Sequence, residues 1–403
     1  MCPHSQQEKY PGSFSVIAMN ILHVIPSVDP RTGGPVEAVR QLGVALQARG
    51  HRVEVASLDA PGEAFTSDFP LPLHALGPAY LGYRYCPKLV PWLRAHAKQY
   101  DAVIVDGLWQ YNGFGTWRGL REQGVPYFVF PHGMNDPWFK QNYPFKHLKK
   151  WLYWPWAEYR VLRDAAAVIF TCEEERLKSR ESFWLYQCHE EVTAFGTRLP
   201  PQDAAGLSAH FLETYPDLQG KRLLLFLGRM HEKKGCDLLV DAFSQLSGQH
   251  PDVHLVLVGP DDEGLAARYL DLARTRGAEG RVSWLGMLSG ELKWGAFHAS
   301  DAFVLPSHQE NFGIAVAEAM GCCKPVLISN KVNIWREIEQ GGGGLVEDDT
   351  LEGTRLLLQK WLAMSPEASV AMGERAMRVF MQRFTVDAMA QGVLQIIERR
   401  LAV

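Results

Sequence analysis

The strongest constraint on this chain is an alternation that runs almost from end to end: short apolar stretches, each followed by a segment with helical periodicity. Ile21-Leu22-His23-Val24-Ile25 precedes Val36 to Arg49, where Val36, Val39, Leu42 and Leu46 recur on one helix face. Gly50 predicts the end of that helix and Val53-Glu54-Val55-Ala56 the next strand. Val103 to Val105, Tyr127 to Phe130 and Ala167 to Phe170 continue the series. Uninterrupted apolar runs of this length suit parallel strands covered on both faces by helices. At Gly196 to Asp203 a polar stretch with Pro200 and Pro201 stops both kinds of element, and the pattern then restarts. Leu223 to Leu227, a helix from Cys236 to Leu246, Val253 to Val258, Ala302 to Leu305 and Pro325 to Ile328 follow. The expectation is two doubly wound α/β domains, 19–200 and 201–382, facing a central cleft with the loops at their strands' carboxyl ends. Residues 1–18 read as an extension, or as the product of a start upstream of Met19. The helical pattern in 383–403 (Val386, Met389, Val393, Ile396, Ile397) is expected to pack back toward the first domain.

Composition removes several function classes. Lys+Arg 41 against Asp+Glu 45 gives a net charge of −4, so the global basic excess of a dedicated nucleic-acid binder is missing. No apolar run is long enough for a transmembrane helix, and Val16 to Pro26, interrupted by Asn20 and His23, reads as a buried strand and not a signal peptide. Seven irregularly spaced cysteines without a Cys-x-x-Cys point to reduced core thiols, hence a cytoplasmic protein, and not to zinc or a disulfide framework.

Two segments carry chemistry. Gly228-Arg229-Met230-His231-Glu232-Lys233-Lys234-Gly235 follows a buried strand and precedes a helix. Arg229 and Lys234 beside the free N–H groups of a helix start make an anion site suited to a diphosphate. The second is Glu310-Asn311-Phe312-Gly313-Ile314 leading to Glu318. With a helix beginning near Gly313, the eight residues from Glu310 to Glu318 span about 12 Å at helical rise, the reach from a sugar across a diphosphate to a ribose. A carboxylate accepts from two vicinal hydroxyls, which suits Glu318 to a ribose diol. Ala315, Ala317, Ala319 and Met320 around Glu318 predict a mostly buried carboxylate that needs partners. No Asp-x-Asp occurs, the pair expected where a divalent cation holds a diphosphate, so no metal and no other cofactor is expected.

Strand-Gly-Arg-x5-Gly with Lys before the last Gly, followed by Glu-x7-Glu with Phe-Gly between, resembles glycosyltransferase family 4. Ile21 to Pro26 through Gly33-Gly34-Pro35 resembles that family's first strand and glycine loop, so the likeness covers nearly the whole chain. The resemblance implies the GT-B fold and transfer, with retention of anomeric configuration, of a hexose from a GDP- or UDP-linked donor to a saccharide or lipid-linked saccharide. A place in cell-surface polysaccharide synthesis is the corresponding expectation. It implies Arg229 and Lys234 at the diphosphate, Glu310 near the donor sugar and Glu318 at the ribose. Gly228, and the amides of Asn311, Phe312, Gly313 and Ile314, would meet the sugar and phosphates. Gly33 and Gly34 would approach the diphosphate from the amino-terminal domain, His132 would lie close to the transferred sugar, and the loop Trp284 to Ser289, with Leu288, would line the base. An epimerase or phosphorylase, or a non-catalytic nucleotide-sugar-binding scaffold, remains as the alternative; the intact motif pair speaks against the first two, and a donor hydrolysis or transfer assay separates enzyme from binder.

Two further features have two readings each. Trp109, after the Val103 strand, either stacks on an acceptor sugar or packs in the core. Within 138–163, Lys140, Lys146, Lys149, Lys150, Arg160 and Arg163 are interleaved with Trp151, Tyr153, Trp154 and Trp156. This is either a peripheral contact with anionic lipid or a helix pair with a packed aromatic face and solvated lysines. The packed reading is favoured because Pro144 and Pro155 break a long amphipathic helix.

Overall fold

The computed structural model of the protein describes residues 18–137 and 144–402, so the expected extension lies, but for Ala18, outside the described residues. Two compact units share the chain. One is Thr197–Thr385; the other runs up to Gly196 and takes back the last helix, Val386–Leu401. The division thus falls at 196/197 and 385/386 where the sequence suggested 200/201 and 382/383. The reason is a pairing that sequence periodicity does not reveal: Thr197 N–H donates to Phe384 O at 2.9 Å and Thr197 bridges Thr385, so the chain enters and leaves the carboxyl-terminal unit side by side.

The amino-terminal unit holds a seven-stranded parallel sheet of β1 (Asn20–Ile25), β2 (Arg52–Ser57), β3 (Leu73–Ala75), β4 (Ala102–Asp106), β5 (Tyr127–Phe130), β6 (Ala167–Phe170) and β7 (Glu190–Val192), in the order β3-β2-β1-β4-β5-β6-β7. Register aligns Ile21 with Val53 on one side and Ala102 on the other. The carboxyl-terminal unit holds six parallel strands, β8 (Arg222–Leu227), β9 (Val253–Val258), β10 (Val282–Trp284), β11 (Ala302–Leu305), β12 (Val326–Ser329) and β13 (Gly344–Glu347), in the order β10-β9-β8-β11-β12-β13. In each sheet the strand order reverses once, between β1 and β4 and between β8 and β11. The crevice beyond the carboxyl ends at such a reversal is where doubly wound sheets bind ligands. Those ends carry Asp106 in one unit and Gly228 to Gly235 with Ser307 to Gly313 in the other.

Central strands are apolar because both faces are covered. Ile21, Leu22, Val24, Val103 to Val105 and Val168 are fully buried, as are Leu224, Phe226, Leu255 and Phe303. The helix Gly34–Ala48 turns Val36, Val39, Leu42 and Leu46 onto the sheet, as its spacing predicts, and Gly50 follows its end. The last helix packs on it; Arg49 Nη2 donates to Asp387 Oδ1 at 2.8 Å. Arg399 and Arg400 both reach Glu191 in the edge strand β7.

Candidate active site

In the carboxyl-terminal unit the chain leaves β8 at Gly228 and makes one tight turn, Glu232–Lys234, before the helix Cys236–Ser247. His231 shapes that turn: its Nδ1 accepts from Lys233 N–H at 3.1 Å. Gly235 ends it with φ +67°, and a Cβ there would stand 2.2 Å from Pro306 O, so only glycine lets the turn lie against the end of β11. His308 N–H donates to Lys233 O at 2.8 Å, tying the two motif loops together. The Glu310 backbone is pinned in turn, N–H to Lys331 O and C=O from Asn333 N–H, both at 3.0 Å. This framework brings the Lys234 ammonium onto Glu310 Oε2. Arg229 is exposed and makes no hydrogen bond or ion pair among the described residues.

Gly313, at φ +78°, precedes the helix Ile314–Gly321, close to where its start is expected. Phe312 turns its ring inward, 5.5 Å from that of Phe384, so its side chain belongs to the core and only its backbone faces the loop. Asn311 Oδ1 accepts from Asn333 Nδ2 at 3.3 Å. Ile314 is half-buried. Glu318 is buried, as the small residues around it predict, and its partner is Lys293 of the helix Gly290–Ala299, at 2.6 Å. Burial pushes the Glu318 carboxyl above its usual range, with Lys293 drawing it partly back. Leu288 is half-buried in the loop before that helix, where Met287 is exposed and Trp284 Nε1 donates to Gly259 O at 3.0 Å.

The amino-terminal unit presents a different edge. Gly33, at φ +89°, and Gly34 open the helix Gly34–Ala48, and a Cβ on either would meet nothing within 4 Å. Asp106, at the end of β4, is fully buried between two histidines: Oδ2 lies 2.8 Å from His23 Nδ1 and Oδ1 lies 3.1 Å from His132 Nε2. Burial raises the Asp106 carboxyl, but the two imidazoles outweigh it and hold it below its usual range. His132 sits at φ +49° with its ring on Phe130, which leaves Nδ1 as its second ring nitrogen. A cavity of about 130 Å³ adjoins Asp106, walled by Ile25, Pro26, Pro35, Gln110 and Met134 among others. Its one arginine, Arg84, is already bonded to Asp59 at 2.7 Å.

Trp109 resolves in favour of packing. Its Nε1 donates to Met134 O at 2.9 Å, its ring lies 5.0 Å from Phe183, and Lys150 Nζ stands 4.4 Å from the ring centroid. The ring is half-buried against the core and carries these contacts in place of an open stacking face. Beneath it Glu158, wholly buried, accepts Trp109 N–H at 2.8 Å; burial pushes this carboxyl up to about 7. Lys150 is likewise not the solvated lysine expected: burial brings it down to about 8. Of the segment 138–163, residues 138–143 lie outside the described residues. The aromatic face is divided: Trp154 is buried and stacked on Phe183 at 4.5 Å, whereas Trp151, at 43 %, and Trp156, at 69 %, are exposed. Arg163, one of the basic residues of this segment, pairs with Asp164.

Sequence reasoning missed Lys293, Asp106 and His23. Lys293 lies on a helix whose apolar spacing says nothing about a carboxylate on the next helix. His23 carried a signal, a polar residue inside an otherwise apolar strand. Among the described residues no three His, Cys, Asp or Glu side chains gather as metal ligands would, and no helix is long and apolar enough to cross a membrane.

Comparison with known proteins agrees with this layout. The family "Glycosyl transferases group 1" matches residues 214–379 and "Glycosyl transferase 4-like domain" matches 33–185. The chain belongs to glycosyltransferase family 4. A D-inositol 3-phosphate glycosyltransferase of Rhodococcus opacus is 29% identical over 94% of this chain and 89% of its own. Sucrose-phosphate synthase from Thermosynechococcus elongatus superposes with a TM-score of 0.73 at 22% identity, covering 95% of this chain and 99% of that one. Anabaena HepE, solved in complex with UDP, gives 0.75 at 17% identity, covering 94% and 100%. These neighbours share the two-domain, Rossmann-like GT-B fold with this family 4 glycosyltransferase.

Proposed function

We propose that this glycosyltransferase moves a hexose from a GDP- or UDP-linked donor to a saccharide or lipid-linked saccharide, with retention and without a metal, in the assembly of a cell-surface polysaccharide. The observation that carries this is Arg229, a guanidinium unpaired among the described residues, in the same strand-to-helix loop as Lys234, which holds Glu310, with Glu318 on the short helix that follows. Cleavage at the anomeric carbon leaves negative charge on the β-phosphate. Fixed cations that meet this charge lower the barrier more than they stabilise the bound donor. Arg229 supplies the uncompensated charge; Lys234, held by Glu310, supplies an oriented second one, and the start of the helix Ile314–Gly321 adds its N–H groups. Glu310 and Glu318 take hydroxyls of the sugar and the ribose. The departing phosphate oxygen accepts the acceptor's hydroxyl proton on the same face, which gives retention without a carboxylate nucleophile. From the amino-terminal unit, His132 serves the transferred sugar, with Asp106 holding the proton on Nε2, and the Gly33–Gly34 turn leaves open space for phosphate oxygens.

A thermal-shift screen of GDP, UDP, ADP and dTDP sugars, followed by transfer assays with the stabilising donor, tests this. The expected product keeps the donor's anomeric configuration and forms at an unchanged rate with a chelator present. Inversion, or loss of turnover on chelation, overturns the corresponding part of the reading.

A second reading concerns the acceptor's setting. Leu148, Trp151, Leu152 and Trp156 are exposed on the segment 144–156, and Trp184 and Leu185 are exposed next to them, with the Trp151 and Trp184 rings 6.0 Å apart. Such a patch with exposed Lys149 suits the interface of an anionic bilayer, as a lipid-linked acceptor requires. Flotation with anionic vesicles should carry the protein upward and lose it on Leu152→Glu with Trp156→Glu; equal flotation of both proteins removes the membrane from the proposal.

A further inference from the structure

Lys293 is not called for by the diphosphate chemistry, yet it occupies a telling place. The loop Trp284 to Ser289 runs straight into the helix Gly290–Ala299, and from its fourth position Lys293 reaches Glu318 Oε1 at 2.6 Å. The Glu318 side chain is 8% exposed and that of Lys293 25%, so the carboxylate is buried and the lysine side chain is the more accessible of the two. Oε2 of Glu318 accepts no hydrogen bond among the described residues. The ammonium also lies 5.0 Å from the Trp294 ring centroid, which restricts where it can swing.

We propose that Lys293 is a specificity-determining residue: with Glu318 it forms a clamp of opposite charges for the 2′- and 3′-hydroxyls of a ribose, so that ribonucleotide sugars are chosen over 2′-deoxyribonucleotide sugars. This rests on the reading of Glu318 as the ribose-binding carboxylate. An ionised carboxylate can only accept hydrogen bonds, whereas a hydroxyl both donates and accepts. Glu318 alone satisfies the hydroxyl protons and leaves their oxygens without a donor. The ammonium has three N–H groups, one committed to Oε1, and the remaining two supply that donor. A donor lacking the 2′-hydroxyl then leaves an acceptor on Glu318 and an N–H on Lys293 unmatched where water has little access, and such a loss discriminates strongly. A merely structural ion pair makes the opposite prediction, because loosening Glu318 would weaken both kinds of nucleotide alike.

Titration calorimetry distinguishes the two. Whichever of UDP, GDP or ADP binds the wild type best is compared with its 2′-deoxy counterpart on the wild type, Lys293→Met and Lys293→Arg. The wild type should favour the ribonucleotide by about tenfold or more. Lys293→Met should lose about tenfold in affinity for the ribonucleotide and little for the deoxynucleotide, and Lys293→Arg should recover most of the preference. Steady-state kinetics should show a raised donor KM with kcat nearly kept. Should Lys293→Met not fold, Lys293→Gln provides the same comparison. An unchanged ribo-to-deoxy ratio in a folded variant overturns the clamp, while Glu318 as a ribose ligand survives if Glu318→Gln still loses binding. Failure of the wild type to bind any of the three diphosphates overturns the nucleotide site itself and the clamp with it.

Discussion

The two sheets end in similar crevices, built in opposite ways. In the loops after β8 and β11 and on the helices beside them the charges, exposed at Arg229 and buried at Glu318, are incompletely matched: Arg229 is unpaired among the described residues, and Lys234 and Lys293 each hold a carboxylate with an oxygen to spare. Beyond the ends of β1, β2 and β4 the carboxylates are buried and each is matched by several partners. Asp106 lies between two histidines, and Asp59 takes Arg84 at 2.7 Å, Ser27 Oγ at 2.6 Å and Val28 N–H at 2.8 Å. Unmatched surface charge costs little in water and gains strength when a ligand displaces that water, whereas a buried charge must be matched before any ligand arrives. The same sheet architecture therefore leaves a cation uncompensated in one unit and surrounds its carboxylates with partners in the other.

That contrast can be broken experimentally. Arg229→Ala should lower kcat by about 100- to 1,000-fold, the usual result of removing one fixed donor to developing charge, while leaving melting nearly unchanged. A normal kcat would mean the open edge is not the chemical one. Asp106→Asn should lower the melting temperature through a loss of about 1–3 kcal/mol, because the amide keeps one acceptor oxygen for two buried histidines, and should lower turnover as well through the loosened His132. Calorimetry showing wild-type melting would remove the buried-network description.

Glu158 sharpens the comparison through pH. Its carboxyl moves from 4.5 to about 7 on burial, so the folded chain keeps this proton after the unfolded chain has lost it. Stability from this group is therefore greatest at low pH and is lost as pH rises through that window, by on the order of 3 kcal/mol in all. Glu158→Gln retains an oxygen for Trp109 N–H and has no charge to bury. Its advantage in melting temperature over the wild type should grow steadily between about pH 5 and pH 7, and a constant difference would refute the assignment. The smallest effect is expected at Arg274, whose pairing with Asp271 is fully surface-borne; Arg274→Ala should leave both melting and turnover as they are.

The central strands were readable because burial on both faces demands unbroken apolar runs, and the sequence reading located all nine inner strands of the two sheets. The four strands it missed, β3, β7, β10 and β13, are the four sheet edges. Leu73-His74-Ala75 and Glu190-Glu191-Val192 have no interior residue to announce them, since an edge is half-covered and its partners come from the neighbouring strand alone. Among candidate site residues, the positions of Arg229, Lys234, Glu310 and Glu318 were legible because a strand-loop-helix sequence places each at a strand's carboxyl end or on the following helix. Trp109 and Lys150 were not, since an indole and an ammonium look the same in sequence whether they face water or each other.

The sequence by itself determined the two α/β units, the strands that form their centres and the loops in which the charged motifs stand, because hydrophobic period and chain connectivity are local properties. Only the tertiary structure decided which charges are spent: Lys293 on Glu318, Arg84 on Asp59, two histidines on Asp106, and none on Arg229. Those pairings join residues from 25 to 83 positions apart. The Coulomb energy that forms them depends on distance through space and on exclusion of water, neither of which is written in the order of residues along the chain.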